Sequence, residues 1–124
     1  DVRLWGRYVE AAVRAMVERY GSRPEDMLAG IGPSIGVDHY PVGEEVWTRV
    51  EKEYPHMAGE VLLRRDGSVH LDLWRMNQLI LAGEGVPRVE IAGICTACHV
   101  QDWFSHRGEH GRTGRLGALM ALPR

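Results

Sequence analysis

Residues 61–82 read VLLRRDGSVHLDLWRMNQLILA. This stretch decides the fold class, because it changes hydrophobic period halfway. Val61 to Arg64 and Val69 to Leu71 flank Asp66-Gly67, a pair that favours the tight turn of a β-hairpin. From Leu73 the apolar residues Leu73, Met76 and Ile80 recur at three- and four-residue steps, one face of a helix. Asp72 stands where a helix N-cap is needed, and its carboxylate is more useful there than as a general base. Gly83 and Gly85 end the helix. A hairpin running straight into an amphipathic helix predicts mixed α and β structure in one layered unit.

The same reading extends in both directions. Upstream, Trp5, Tyr8, Val9, Ala12, Val13, Met16, Val17 and Tyr20 form one apolar stripe, which predicts a helix over residues 2–20. Gly21 ends it, since glycine adopts a left-handed backbone without a Cβ clash. Ser22-Arg23-Pro24-Glu25 predicts one short helical turn. Met27 to Ile31 reads as a buried strand, and residues 32–36, Gly-Pro-Ser-Ile-Gly, as a loop. Val46, Trp47, Val50 and Tyr54 predict a helix from Gly43 that stops at Pro55. Downstream, Val89 to Ile94 reads as a strand buried on both faces. Trp103 to His106 and Leu116 to Leu122 are further strand candidates.

Composition sets the bounds. The 124 residues suit one domain, and 44% hydrophobic with 26% charged residues is a globular composition. The apolar stretch from Leu116 to Pro123 is far below the ~18 residues of a membrane span, so no membrane partner is expected. A net charge of −2 gives no nucleic-acid signature. Two closely spaced cysteines make no disulfide framework, and a cytoplasmic setting is expected. The chain opens at Asp1 directly into a helical pattern, as if inside a larger protein.

Three segments carry chemistry. Cys95-Thr96-Ala97-Cys98-His99 can be read as a c-type haem attachment site with His99 as axial ligand. It can also be half of a zinc site completed by His106 and His110, or two small buried thiols at a strand end. Gly32-Pro33-Ser34-Ile35-Gly36 can offer backbone N–H groups and the Ser34 hydroxyl to an anion or a sugar. It lacks the Gly-Lys-Ser/Thr end of a phosphate-binding P-loop. Arg107, Arg112 and Arg115, with His106 and His110, crowd into ten residues with Glu109 as their one acid. Guanidinium groups pair bidentately with carboxylate or phosphate, and the interleaved glycines let the backbone converge them.

Three stretches together resemble one family. They are Ile31-Gly32-Pro33-Ser34-Ile35-Gly36, Val69-His70-Leu71-Asp72-Leu73-Trp74, and Gly93-Ile94-Cys95-Thr96-Ala97-Cys98 continuing through Trp103-Phe104-Ser105-His106-Arg107 to Gly111-Arg112-Thr113-Gly114-Arg115. They are similar to the C-terminal half of the YfiH-type family, known as polyphenol oxidase (laccase), purine nucleoside phosphorylase and peptidoglycan editing factor. The resemblance implies an α/β fold, a layered α/β/β/α sandwich with a mixed sheet flanked by helices, of which this chain holds the C-terminal half. It implies a zinc enzyme that phosphorolyses purine nucleosides and deaminates adenosine. Ser34, Arg107, Arg112 and Arg115 are then the expected substrate-binding residues. Copper-dependent phenol oxidation and a truncated, non-catalytic interaction module are the alternatives. The family's metal ligands, two histidines and a cysteine, lie in upstream motifs, so no residue here is expected to inherit a metal-ligand role. The expected partners are a purine nucleoside, phosphate and the missing N-terminal half. Without that half, an uncovered apolar face is expected to drive association into homo-oligomers.

Overall fold

The computed structural model describes residues 5–123. Helix α1 spans Trp5–Tyr20, and Gly21 follows it at φ 64°. A single 3-10 turn over Pro24–Asp26 leads into strand β1, Leu28–Ile31. A second 3-10 turn, Val37–His39, precedes β2, Pro41–Val42. Helix α2 covers Glu44–Glu53 and the short α3 covers Ala58–Val61. Strands β3, Leu62–Arg65, and β4, Ser68–Leu71, form the hairpin, followed by α4, Leu73–Gly83, and β5, Arg88–Ile91.

The hairpin and the helix it feeds form as the sequence predicts. Asp66 and Gly67 both take positive φ, 49° and 79°, as a type I′ turn requires. Asp72 caps α4, its Oδ1 accepting the Arg75 N–H at 2.9 Å. The two-residue β2 adds to the far edge of β4, giving an antiparallel sheet in the order β2-β4-β3. Around it lies the larger core, with Val50, Val61, Leu71, Met76 and Ile80 buried and Tyr54 and Trp47 packed against them. Complete burial of a residue such as Leu71 or Val61 contributes about 1.5–3 kcal/mol.

Strands β1 and β5 make a separate parallel pair, Leu28 opposite Arg88 through Ile31 opposite Ile91. Helix α4 packs on this pair, and Val13 of α1 joins Leu81 and Val86 in a small second core. Here the structure corrects the sequence. Neither β1 nor β5 is buried on both faces, and Leu28 and Ile91 are exposed. A parallel sheet needs cover on both sides, and the described residues supply it on one. The α1 stripe is likewise mostly uncovered, with Tyr8, Met16, Val17 and Tyr20 exposed. The part of the predicted helix at residues 2–4 lies outside the described residues.

Two strand candidates are absent. Residues 103–105 are a bend and irregular backbone leading into a turn at 106, and residues 116–122 are irregular. Leu119 and Leu122 are wide open to solvent, so apolar composition there found no sheet edge to join. Among the described residues no helix is long and apolar enough to cross a membrane.

Candidate active site

The parallel pair continues past its strands. Ile31 faces Ile91, but three residues later Ser34 bridges Cys95, so the β5 side carries one extra residue, as in a bulge. Ser34 N donates to Ile94 O at 3.2 Å, and Thr96 N donates to Ser34 O at 3.1 Å. The loop after β1 and the segment after β5 thus meet at the carboxyl ends of two parallel strands. Crevices at such ends bind ligands in open α/β sheets.

Ser34 is held from a third direction. Trp74, in the first turn of α4, donates its indole N–H to Ser34 Oγ at 2.7 Å. Gly36 is fitted against both partners. A Cβ there would lie 3.3 Å from Cys95 Cβ and 3.6 Å from the Trp74 ring, so a side chain would crowd Cys95.

The arginine-bearing segment folds into a compact run of turns. Ser105 is buried, and its N–H donates to the Glu109 carboxylate at 2.8 Å. The Thr113 hydroxyl donates to the same oxygen of Glu109, and the Gly111 N–H donates to His106 O at 2.7 Å. Those bonds from Ser105 and Thr113 hold the Glu109 carboxyl below its ordinary range. The one acid of the segment therefore staples the loop. Arg107 leaves the loop, donates Nη1–H to Pro41 O at 3.0 Å and lies over the Tyr40 ring at 5.1 Å. Burial pushes the Tyr40 phenol up, and the Arg107 charge acts against that rise.

A cavity of about 640 Å³ opens between these elements. Ser34, Arg107 and Arg115 all line it, together with Tyr40, Thr96 and Phe104. Three of the four residues singled out in the sequence are therefore on one wall system. Arg112 is not among the lining residues; it is exposed, and its backbone N–H closes a turn onto Glu109 O at 3.1 Å. Tyr40, Thr96 and Phe104 were not singled out, because each is brought in by the fold from a different segment.

Beside the cavity lies a donor group. His39, Cys95 and Cys98 bring their ligand atoms within 4.8 Å of one another. His39 Nδ1 is 3.8 Å from Cys95 Sγ and 3.6 Å from Cys98 Sγ. Cys98 is exposed and Cys95 half-buried, which corrects the reading of two buried thiols. His106 and His110 are not members of the group; the imidazole comes from His39. Burial acts to raise the Cys95 thiol, but N–H bonds from Gly36, Cys98 and Ala97, with the Cys98 side chain, outweigh it and hold it below its ordinary value. The hydrogen bond to Cys95 pushes the Cys98 thiol up, aided by burial and by the Cys95 and Asp38 charges. Two sulfurs and an imidazole nitrogen are a donor set for a soft or borderline ion.

His39 reaches the cysteines because its turn is tied to the sheet. His70 on β4 donates Nδ1–H to Val37 O at 2.7 Å, and Leu71 N donates to Tyr40 O at 3.2 Å. Nothing local in the sequence marks His39, which lies 56 residues from Cys95.

Comparison with known proteins agrees with this architecture. A purine nucleoside phosphorylase of Deinococcus radiodurans is 38% identical over 96% of this chain and 45% of its own length. Adenosine deaminase RL5, from an unknown prokaryotic organism, is 32% identical over 89% of this chain and 43% of its own length. The crystal structure of the Bacillus licheniformis hypothetical protein YfiH superposes with a TM-score of 0.78 at 30% identity, over 86% of this chain and 41% of that one. The chain thus spans less than half the length of these relatives. The family described as multi-copper polyphenol oxidoreductase laccase matches residues 4–123, and the chain belongs to that family.

Proposed function

We propose that this chain supplies the substrate-binding wall of a purine nucleoside phosphorylase that also deaminates adenosine. The supporting observation is the convergence of Ser34, Arg107 and Arg115 on one cavity with Tyr40 and Phe104. Phosphorolysis makes phosphate attack the anomeric carbon while the base departs, so the site must hold a dianion beside a developing cationic sugar. Fixed charges and fixed geometry supply most of such an effect. Arg107 and Arg115 provide the guanidinium groups. Ser34, locked by Trp74 and by two backbone bonds, presents a positioned hydroxyl to ribose or phosphate. Exposed Phe104 offers a flat apolar face to a purine. Relatives bearing the names purine nucleoside phosphorylase and adenosine deaminase support both activities.

The metal of the reaction belongs, by the resemblance, to polypeptide upstream of this chain. When bound it would supply an activated water for deamination, and the residues here orient the nucleoside toward it. Zinc is the ion of this reading. The family's description supports a second one, copper-dependent oxidation of phenols; oxygen uptake with a phenol by the copper-loaded protein would select it.

Arg107→Ala tests the phosphorylase reading, in the protein that carries the upstream half. The variant should lose phosphate-dependent cleavage of inosine, with KM for phosphate rising more than metal content falls. Equal loss of both, or an unchanged KM for phosphate, refutes the role given to Arg107.

A further inference from the structure

The geometry points to a metal site built entirely from this chain: we propose that His39, Cys95 and Cys98 bind one zinc ion and leave its fourth position to water. The site is argued from this chain's own residues and does not depend on the nucleoside reading.

Ligand spacing is the first argument. Zn–S is about 2.3 Å and Zn–N about 2.0–2.1 Å, so tetrahedral angles require about 3.5–3.6 Å between a nitrogen and a sulfur ligand. His39 Nδ1 stands 3.6 Å from Cys98 Sγ and 3.8 Å from Cys95 Sγ. Both nitrogen–sulfur spacings are close to that requirement, and all three ligand atoms lie within 4.8 Å of one another. They are held in that spacing although the turn bearing His39 and the turn bearing the cysteines are far apart in sequence.

The second argument is the backbone around Cys95. Its sulfur accepts the Gly36 N–H at 3.2 Å across the bulge, which fixes where it points. The Cys-x-x-Cys turn brings Cys98 round to the same side, its N–H also closing onto Cys95 O at 3.2 Å.

The third argument concerns the imidazole. Val37 O is engaged by His70, Asp38 is paired with Arg65 and Tyr40 O accepts the Leu71 N–H, so the residues on both sides of His39 are pinned. Cys98 and His39 are exposed, which gives an ion an entry path and leaves room for a water at the fourth position. Among the described residues the group has three donors. Zinc sites with three protein ligands keep one position open, whereas closed structural sites use four. Two thiolates neutralise the ion, each releasing its proton to solvent on binding.

Metal analysis after removal by chelator and reloading with zinc tests the site. The wild-type protein should hold one zinc more per chain than Cys95→Ser/Cys98→Ser. Cobalt(II) should give thiolate-to-metal charge-transfer absorption that this double variant lacks. His39→Gln should keep the charge transfer but bind more than about 100-fold more weakly, since loss of even an outer-sphere partner costs 10–100-fold. A readout on the unaltered protein guards against misfolded variants: zinc should slow alkylation of Cys95 and Cys98 under reducing conditions. Equal zinc content in wild type and double variant, or alkylation indifferent to zinc, overturns the proposal. So does a Cys95–Cys98 disulfide that persists in a glutathione buffer of cytosolic poise.

Discussion

Replacing Asp72 by alanine separates two roles that its position in the sequence allows, helix cap and general base. In the structure its Oδ1 accepts the Arg75 N–H at 2.9 Å, and its own carbonyl accepts the first helical bond from Met76 N at 3.0 Å. Alanine keeps the second bond and loses the first, leaving a half-buried N–H without its partner. Loss of such a cap costs about 1 kcal/mol, within a range of roughly 0.5–2. Unfolding entropy is about 2.1 cal/mol/K per residue, or about 0.26 kcal/mol/K for a chain of 124 residues. The melting temperature should therefore fall by about 4 °C. The loss should be global, because α4 carries Met76 and Ile80 of one core and Leu81 of the other. Asparagine caps as well as aspartate, so Asp72→Asn should recover most of that fall. Thermal unfolding followed by circular dichroism reads all three proteins. An unchanged melting temperature for alanine refutes the cap. A base that does not cap would leave a different signature, with alanine as stable as wild type and asparagine inactive in nucleoside turnover.

Two further outcomes follow from exposure and titration. Tyr54 is raised above the ordinary phenol value by burial and by the Glu10 and Glu53 charges, and Tyr40 is raised by burial. A raised folded value means the neutral phenol is favoured by folding. Their contribution is thus complete below about pH 10 and is lost as pH rises through the folded values. Urea midpoints measured from neutral to strongly alkaline pH should fall less steeply for Tyr40→Phe/Tyr54→Phe than for wild type, and parallel curves would refute this. The exposed Tyr8, Met16, Val17 and Tyr20 of α1, with Leu28 and Ile91 on the strand pair, should make the isolated chain self-associate. Size-exclusion chromatography should show elution that shifts with concentration; a compact monomer at every concentration would refute it.

What the sequence made legible is what local chemistry decides. The Asp66-Gly67 turn needs positive φ at adjacent residues, and the Asp72 cap needs one carboxylate within reach of the N–H three residues on. Both requirements are met inside a few residues, and both features are present. Ser34, Arg107 and Arg115 were legible as chemistry, but their shared cavity needed β1, β5 and the loop at 105–113 to be brought together. Other readings failed where composition was asked to stand for context. Residues 89–94 are mostly apolar and read as a sheet interior, yet β5, Arg88–Ile91, leaves Arg88, Glu90 and Ile91 exposed because one covering layer is missing among the described residues. Residues 103–106 look like a strand, but Ser105 gives its N–H to the Glu109 side chain, and that bond commits the segment to a turn. His39 carries no local mark at all. Its place beside the cysteines depends on the pairing of β2 with β4 and on the His70 bond to Val37.

The bridge between Ser34 and Cys95 makes the cavity and the proposed zinc site neighbours without making them one site. Ser34 and Thr96 face the cavity, while Cys95, the partner of Ser34 in that bridge, turns its sulfur toward His39. Tyr40 stands in the cavity wall immediately after His39, and Arg107 rests on its ring. An ion joining His39 to Cys95 and Cys98 would therefore tie the Tyr40 turn to the Ser34 loop across the cavity wall. Its removal would loosen that wall while leaving every arginine in place. The expected consequence is specific. Cys98→Ser should weaken nucleoside and phosphate binding together, because it slackens a shared wall, whereas Arg107→Ala should act chiefly on phosphate. A variant that removed the ion and yet left both affinities untouched would show that the two sites, though adjacent in the fold, are energetically independent.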